Sequence, residues 1–195
     1  MDFLKKVGQV VAPPPTSPYK EADVDPAVKA IQALQRPPRL HSEGFPEKRI
    51  TDLHLDLPSP LPAGAYVPCV LAGDMLYVSG QLPVGPGGEL HVGKVGATAD
   101  EQMGVAAARA CALTMLATVK GAISSLNRVV KLVKVTGFVN CAEGYESPQA
   151  CIDGFSNVMI DVFGDSGKGA RSAIGVASLP KGVMVEVEAI FQIKL

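Results

Sequence analysis

The sequence holds no tryptophan, only 5% aromatic residues and three scattered histidines, His41, His54 and His91. With a formal net charge of -1 and no dense Lys/Arg cluster, it offers nucleic acid neither stacking platforms nor a phosphate-binding surface. The histidines lack metal-ligand spacing and read as surface or loop residues. Four cysteines, Cys69, Cys111, Cys141 and Cys151, contain no CxxC pair, so a reduced, intracellular protein is expected. Cys69 and Cys111 read as small buried hydrophobes, and Cys141, at a strand end, is the cysteine to test for reactivity. No GxSxG elbow is present. The glycines at 85, 87 and 88 lack a GK[ST] ending and read as a loop. No apolar run approaches the roughly 18 residues of a membrane span. The start, MDFLKKVGQVV, lacks a small-residue cleavage pattern, and the first arginine is Arg36, which speaks against both secretory and transit signals. Cytoplasm is the expected compartment, with the mitochondrion left open.

Charged residues are also scarce, at 19% against 47% hydrophobic, too few for a monomer that must cover itself in water, so a soluble oligomer is expected. Residues 1–45 form a proline-rich extension, in which Asp25 as N-cap, Pro26, Val28, Ile31, Leu34 and Arg36 suggest one short helix. Residues 46–195 form the domain. A strand or turn is expected over Ile50 to Leu57. Tyr66 to Leu71 and Met75 to Ser79 then read as a hairpin, and Glu89 to Val92 as a short strand. Thr98 with Glu101 suggests a capping box opening a helix from about Ala99 to Leu126, with Leu113, Leu116, Val119, Ile123 and Leu126 on one stripe. Val129 to Val139 is a strand apolar on both faces. Ser147 and Pro148 open a second helix carrying Ile152, Phe155, Met159 and Val162, which Gly164 ends. The resulting order is strand, strand, helix, strand, helix, strand, an α+β pattern whose two helices cover one face of the sheet and leave the other to a second subunit.

The last strand carries the candidate chemistry. From Val183 onward, Val183, Val185, Val187 and Ala189 line one face, while Met184, Glu186, Glu188 and Ile190 line the other. A carboxylate in a partly buried sheet is costly unless a cation or donors meet it, and Arg171 is the nearest fixed positive charge upstream. Arg171 with Glu186 is therefore the candidate site, with a structural ion pair or a solvated strand face as the alternative.

The run LYVSGQLP (Leu76 to Pro83), followed by ARSAIGVASLPKGVMVEVEAI (Ala170 to Ile190), resembles the YjgF/RidA, or endoribonuclease L-PSP, family over roughly Phe45 to Leu195. The resemblance implies a chorismate-mutase-like α+β fold, a homotrimer whose sheets form a barrel, and small-molecule clefts between subunits. It also implies hydrolysis of reactive imines and enamines to 2-oxo acids and ammonia without metal or cofactor. Carried over by position, Arg171 clamps a substrate carboxylate, Glu186 holds or activates water, Tyr66 walls the pocket and Ser79 supports it. Ala173 stands where the family's deaminases commonly have cysteine, and Asp153 near where they have asparagine. These departures point to a less characterised branch. Three readings stay open: a deaminase-like hydrolase, a non-catalytic trimer that binds small carboxylates or proteins, and an endoribonuclease. The expected partner is a small carboxylate in an inter-subunit cleft, with no membrane and no nucleic acid.

Overall fold

A computed structural model describes residues 45–59 and 64–195. The expected N-terminal helix around Asp25 lies outside the described residues. The elements are α1 (Pro46–Asp52), β1 (Cys69–Ala72), β2 (Met75–Gln81), α2 (Glu101–Ile123), β3 (Val129–Asn140), α3 (Pro148–Phe163), β4 (Ala170–Val176) and β5 (Val185–Ile193). The five strands form one mixed sheet in the order β1-β2-β5-β3-β4, and only β3 and β4 run parallel. This is the expected α+β architecture, with one strand and one helix more than the sequence suggested.

The core lies between the sheet and the two long helices. Along β5 the alternation is as expected, with Val185, Val187, Ala189, Phe191 and Ile193 buried against the helices and Glu188 exposed on the other side. Phe155 and Met159 of α3, Met115 and Leu116 of α2, and Leu132 of β3 complete that layer with no accessible surface or almost none. The helices cross closely because small residues meet there. A Cβ on Gly154 would lie 2.1 Å from the Val105 carbonyl oxygen, and one on Gly104 would lie 2.6 Å from the Cys151 sulfur. By length and mean hydropathy α2 could cross a membrane, beyond what its sequence suggested, but 67% of the apolar stretch is buried in this fold, so the core already uses it.

Four local expectations are corrected. Of Ile50 to Leu57, expected as a strand or turn, Ile50 to Asp52 instead end the helix α1, with Pro46 in its first turn and Ile50 in the core, and Leu53 and His54 form a turn. Asp100, not Thr98, caps α2: its carboxylate accepts from the Met103 amide at 2.8 Å. Thr98 instead accepts from the Lys94 amide, and Glu101 accepts from the Tyr145 hydroxyl. The helix stops at Ile123, where Ser124 turns left-handed (φ 67°), and Leu126 belongs to a separate 3-10 turn. Glu89 to Val92 supplies only isolated bridges, Val84 to Leu90 and Val92 to Val183. Ser147 does occupy the N-cap of α3, but its hydroxyl makes no capping hydrogen bond.

The unexpected strand is β4. Arg171 stands on this edge strand, which follows α3 and pairs parallel with β3, Arg171 beside Val135. A β3-α3-β4 unit needs a helical crossover of this kind because parallel neighbours cannot be joined by a tight turn.

Candidate active site

Beside the end of β2 lies a cleft of about 230 Å³, lined by residues that include Tyr66, Ser79, Gly80, Gln81, Thr114, Thr118, Lys181 and Glu186. Its shape comes from a break in the sheet. The pairing of β2 with β5 shifts register between Val78 and Gln81, so Ser79 and Gly80 bulge away from the ladder. The Glu186 side chain leans into the space at Gly80, where a Cβ would stand only 1.9 Å from its Oε1 and 2.8 Å from its Cδ. Glycine at position 80 is thus a steric requirement of the carboxylate's placement.

Glu186 is half-buried and, among the described residues, no donor or cation bonds its carboxylate. Burial pushes its pKa above the ordinary carboxylate value, and the neighbouring Glu188 charge adds to the rise. Such a group is poised to accept a proton from something that enters the cleft. The polar groups that line the cleft around it donate to the backbone or to one another. The Ser79 hydroxyl donates to the Pro68 carbonyl at 3.2 Å, and Gln81 Nε2 to the Ser79 carbonyl at 3.0 Å. The Thr118 hydroxyl donates to Gln81 Oε1 at 2.7 Å, and Thr114 to the Ala110 carbonyl at 3.1 Å. Tyr66 and Lys181 stand exposed, with Lys181 held left-handed (φ 56°) in the Pro180-Lys181-Gly182 turn.

Arg171, Ala173 and Asp153 do not line this cleft. The chain places them in a second group at the β4 edge, facing the helix layer. Arg171 Nη1 donates to Asp153 Oδ1 at 2.7 Å and to the Ser156 hydroxyl at 2.8 Å, both on α3. Ala173 packs against the core. Through the ladder Arg171 aligns with Val135 and then Ala189, whereas Glu186 aligns with Phe138. Arg171 and Glu186 are therefore two strands apart and do not pair within one chain. Glu186 does not find its cation in Arg171.

The sequence reading missed Gly80, Gln81, Lys181, Thr114 and Thr118 as cleft residues. The threonines did leave a trace, since residues four apart on a helix share one face, but two threonines among alanines resemble ordinary helix filling. Of the cysteines, Cys111 is fully buried and its thiol pKa is raised by that burial, while Cys69 is only half-buried and its thiol is pushed up to about 11. Among the described residues no three His, Cys, Asp or Glu side chains cluster so as to hold a metal ion.

The chain thus combines an α+β sheet carrying two long helices on one face, a bulged second strand and a glutamate over the glycine of that bulge. The family model described as Endoribonuclease L-PSP matches residues 57–193. The chain belongs to this family, the YjgF/RidA family. Among curated relatives, Protein TCP17 of Trypanosoma cruzi is 41% identical over 68% of this chain and 83% of its own length. A 2-iminobutanoate/2-iminopropanoate deaminase of Salmonella typhimurium is 33% identical over 68% of this chain and 90% of its own. Among solved structures, an Agrobacterium tumefaciens protein of unknown function superposes with a TM-score of 0.71 at 38% identity, over 77% of this chain and 94% of that one. A Shewanella oneidensis protein superposes with a TM-score of 0.74 at 28% identity, over 77% of this chain and all (100%) of the other.

Proposed function

We propose that the protein hydrolyses small 2-imino and 2-enamino acids to 2-oxo acids and ammonia. The observation that carries this reading is the half-buried Glu186 carboxylate, which meets no donor among the described residues and has a raised pKa in a cleft of small-molecule size. Membership of a family whose relatives include named deaminases supports it at family level. In the proposed reaction, water bound at Glu186 gives up a proton to the carboxylate as its oxygen bonds to the imine carbon. The proton then passes to the nitrogen to give a carbinolamine; the carboxylate takes the remaining hydroxyl proton and hands it to the nitrogen as the carbonyl forms and the carbon–nitrogen bond breaks, so the products are the 2-oxo acid and ammonia. An enamine enters the same path after protonation at carbon converts it to the imine. Tyr66 walls the mouth, and Ser79 holds the bulge in place.

The substrate carboxylate needs a cation. In this reading it comes from Arg171 of a second copy, whose β4 edge lies at the mouth of the cleft in a homotrimer. Asp153 competes for the same guanidinium, so binding costs part of the ion pair. That ion pair is the specific observation favouring the second reading, a non-catalytic binder in which Arg171 is structural.

The test is ammonia and 2-oxo acid release from enzymatically generated 2-aminoacrylate and 2-iminobutanoate. Wild type should accelerate both above background, and Arg171→Ala should raise KM by about 10- to 100-fold, the worth of a charged hydrogen bond. A folded wild type with no rate above background would reject hydrolysis and leave the binder.

A further inference from the structure

The cleft has a chemical polarity of its own. At its exposed mouth stand Tyr66 and Lys181, a hydroxyl and an ammonium whose donors have no described acceptor. At its inner end stand Thr114, Thr118 and Gln81, with 2%, 4% and 7% of their surface accessible. Those inner donors are already spent. The Gln81 amide lies against the Ser79 and Gly80 carbonyls, at 3.0 and 3.4 Å, which accept only and so fix its NH2 toward them and its oxygen toward Thr118. Thr118 must then donate to Gln81 Oε1. Thr114 donates back along its own helix to Ala110. What remains open at the inner end is a row of lone pairs on two threonine hydroxyls and one amide oxygen, next to the Glu186 carboxylate.

A ligand that presents only an alkyl group there strips water from these acceptors and returns nothing, whereas one that presents a hydroxyl or amide N–H satisfies them. A site built around hydrogen bonds to a ligand discriminates strongly against the analogue that lacks the bonding group. The reacting nitrogen does not account for all the acceptors, because in the proposed reaction it is matched by Glu186 and its water.

We propose that Thr114, Thr118 and Gln81 form a substituent pocket that selects 2-imino acids whose side chain carries a hydrogen-bond donor, a hydroxyl or a carboxamide, over alkyl imino acids of similar length. This deepens the imine-hydrolysis reading and rests on it. The ligand lies with its side-chain donor inward and its carboxylate toward the mouth, where Lys181 adds positive charge.

The test uses the stable 2-oxo acids as binding probes for the full-length protein in calorimetry. 4-Hydroxy-2-oxobutanoate is compared with 2-oxopentanoate, and 2-oxosuccinamate with 4-methyl-2-oxopentanoate, so that each pair matches in size. The donor-bearing member of each pair should bind about tenfold more tightly to wild type. Thr114→Val is the cleaner variant, because the Ala110 carbonyl keeps its helical partner when the hydroxyl goes. Thr118→Val removes a second acceptor but leaves Gln81 Oε1 without its donor, so its fold is checked by thermal melting. In both variants the ratio should collapse toward one. Equal affinities in wild type, or a preference that survives both valines, overturns the pocket assignment while imine turnover still stands. If no 2-oxo acid binds and no imine is turned over, the hydrolase reading has failed and the pocket assignment falls with it.

Discussion

At the scale of single residues, the site depends on one glycine and one carboxylate sharing the same space. Gly80 has no side chain to displace, and Glu186 fills the volume a Cβ would take. Gly80→Ala should therefore leave the fold intact, because the group it meets is the far end of a flexible side chain, while swinging the carboxylate out of position. Turnover should fall by about 100-fold, the cost of a displacement near 1 Å at a reacting centre. Steady-state rates combined with a melting curve check this, and an active, equally stable variant would show that the contact does not matter. That Glu186, Tyr66 and Ser79 share one cleft was legible in the sequence, Glu186 from the alternation of its strand and Tyr66 and Ser79 from the family resemblance alone. The partnership of Glu186 with Arg171 was not. Alternation says which face of its strand a residue takes, and nothing about how many strands lie between two faces.

At the scale of elements, regular patterns in the sequence proved readable and short ones did not. The stripe of α2, the apolar β3 and the alternating β5 each repeat often enough to declare their type. The strand β4, seven residues with Ala170, Ala173 and Gly175, carries no such period, and its identity comes from pairing with β3. The helix α1 is equally short, and tertiary contacts explain why it forms. Glu47 reaches across from it to take the Leu126 amide at 2.9 Å and the Lys120 ammonium at 2.7 Å. Burial alone would raise the Glu47 pKa, but the Lys120 and Leu126 hydrogen bonds outweigh it and hold the carboxyl below its ordinary value. A depressed folded pKa contributes stability above the unfolded value that is lost as pH falls through the folded one. Glu47→Ala should thus cost about 1–2 kcal/mol at neutral pH, mostly through the stranded Leu126 amide. Its difference from wild type should shrink toward acid pH. A pH-independent difference in denaturant melts would show that the carboxylate's charge is not involved.

At the scale of the whole molecule, one face of the sheet carries exposed apolar side chains among the described residues. Val67, Val70, Tyr77 and Ile190 line it beside Lys134 and Glu188, and Val67, Val70 and Tyr77 are more exposed than buried apolar groups would be. The scarcity of charge and the apolar β3 both suggested a second subunit on this face. The separation of Arg171 from Glu186 within one chain adds a reason within the site, because the proposed reaction takes its arginine from a second copy. Sedimentation should show an oligomer, and Tyr77→Asp, which places a charge in the middle of this face, should dissociate it and abolish turnover together. A monomeric wild type that still turns over imines would contradict that arrangement.

The most direct measurement of the central claim is the pH dependence of kcat/KM for 2-iminobutanoate hydrolysis in wild type and Glu186→Gln. If Glu186 takes the proton from water, its basic form must be populated. The wild-type rate should then rise with pH through a carboxyl pKa above the ordinary range and reach a plateau, and the glutamine variant should be slower by about 100- to 10,000-fold with no such rise. A Glu186→Gln protein that keeps the wild-type rate and the same pH profile would contradict the account at its centre.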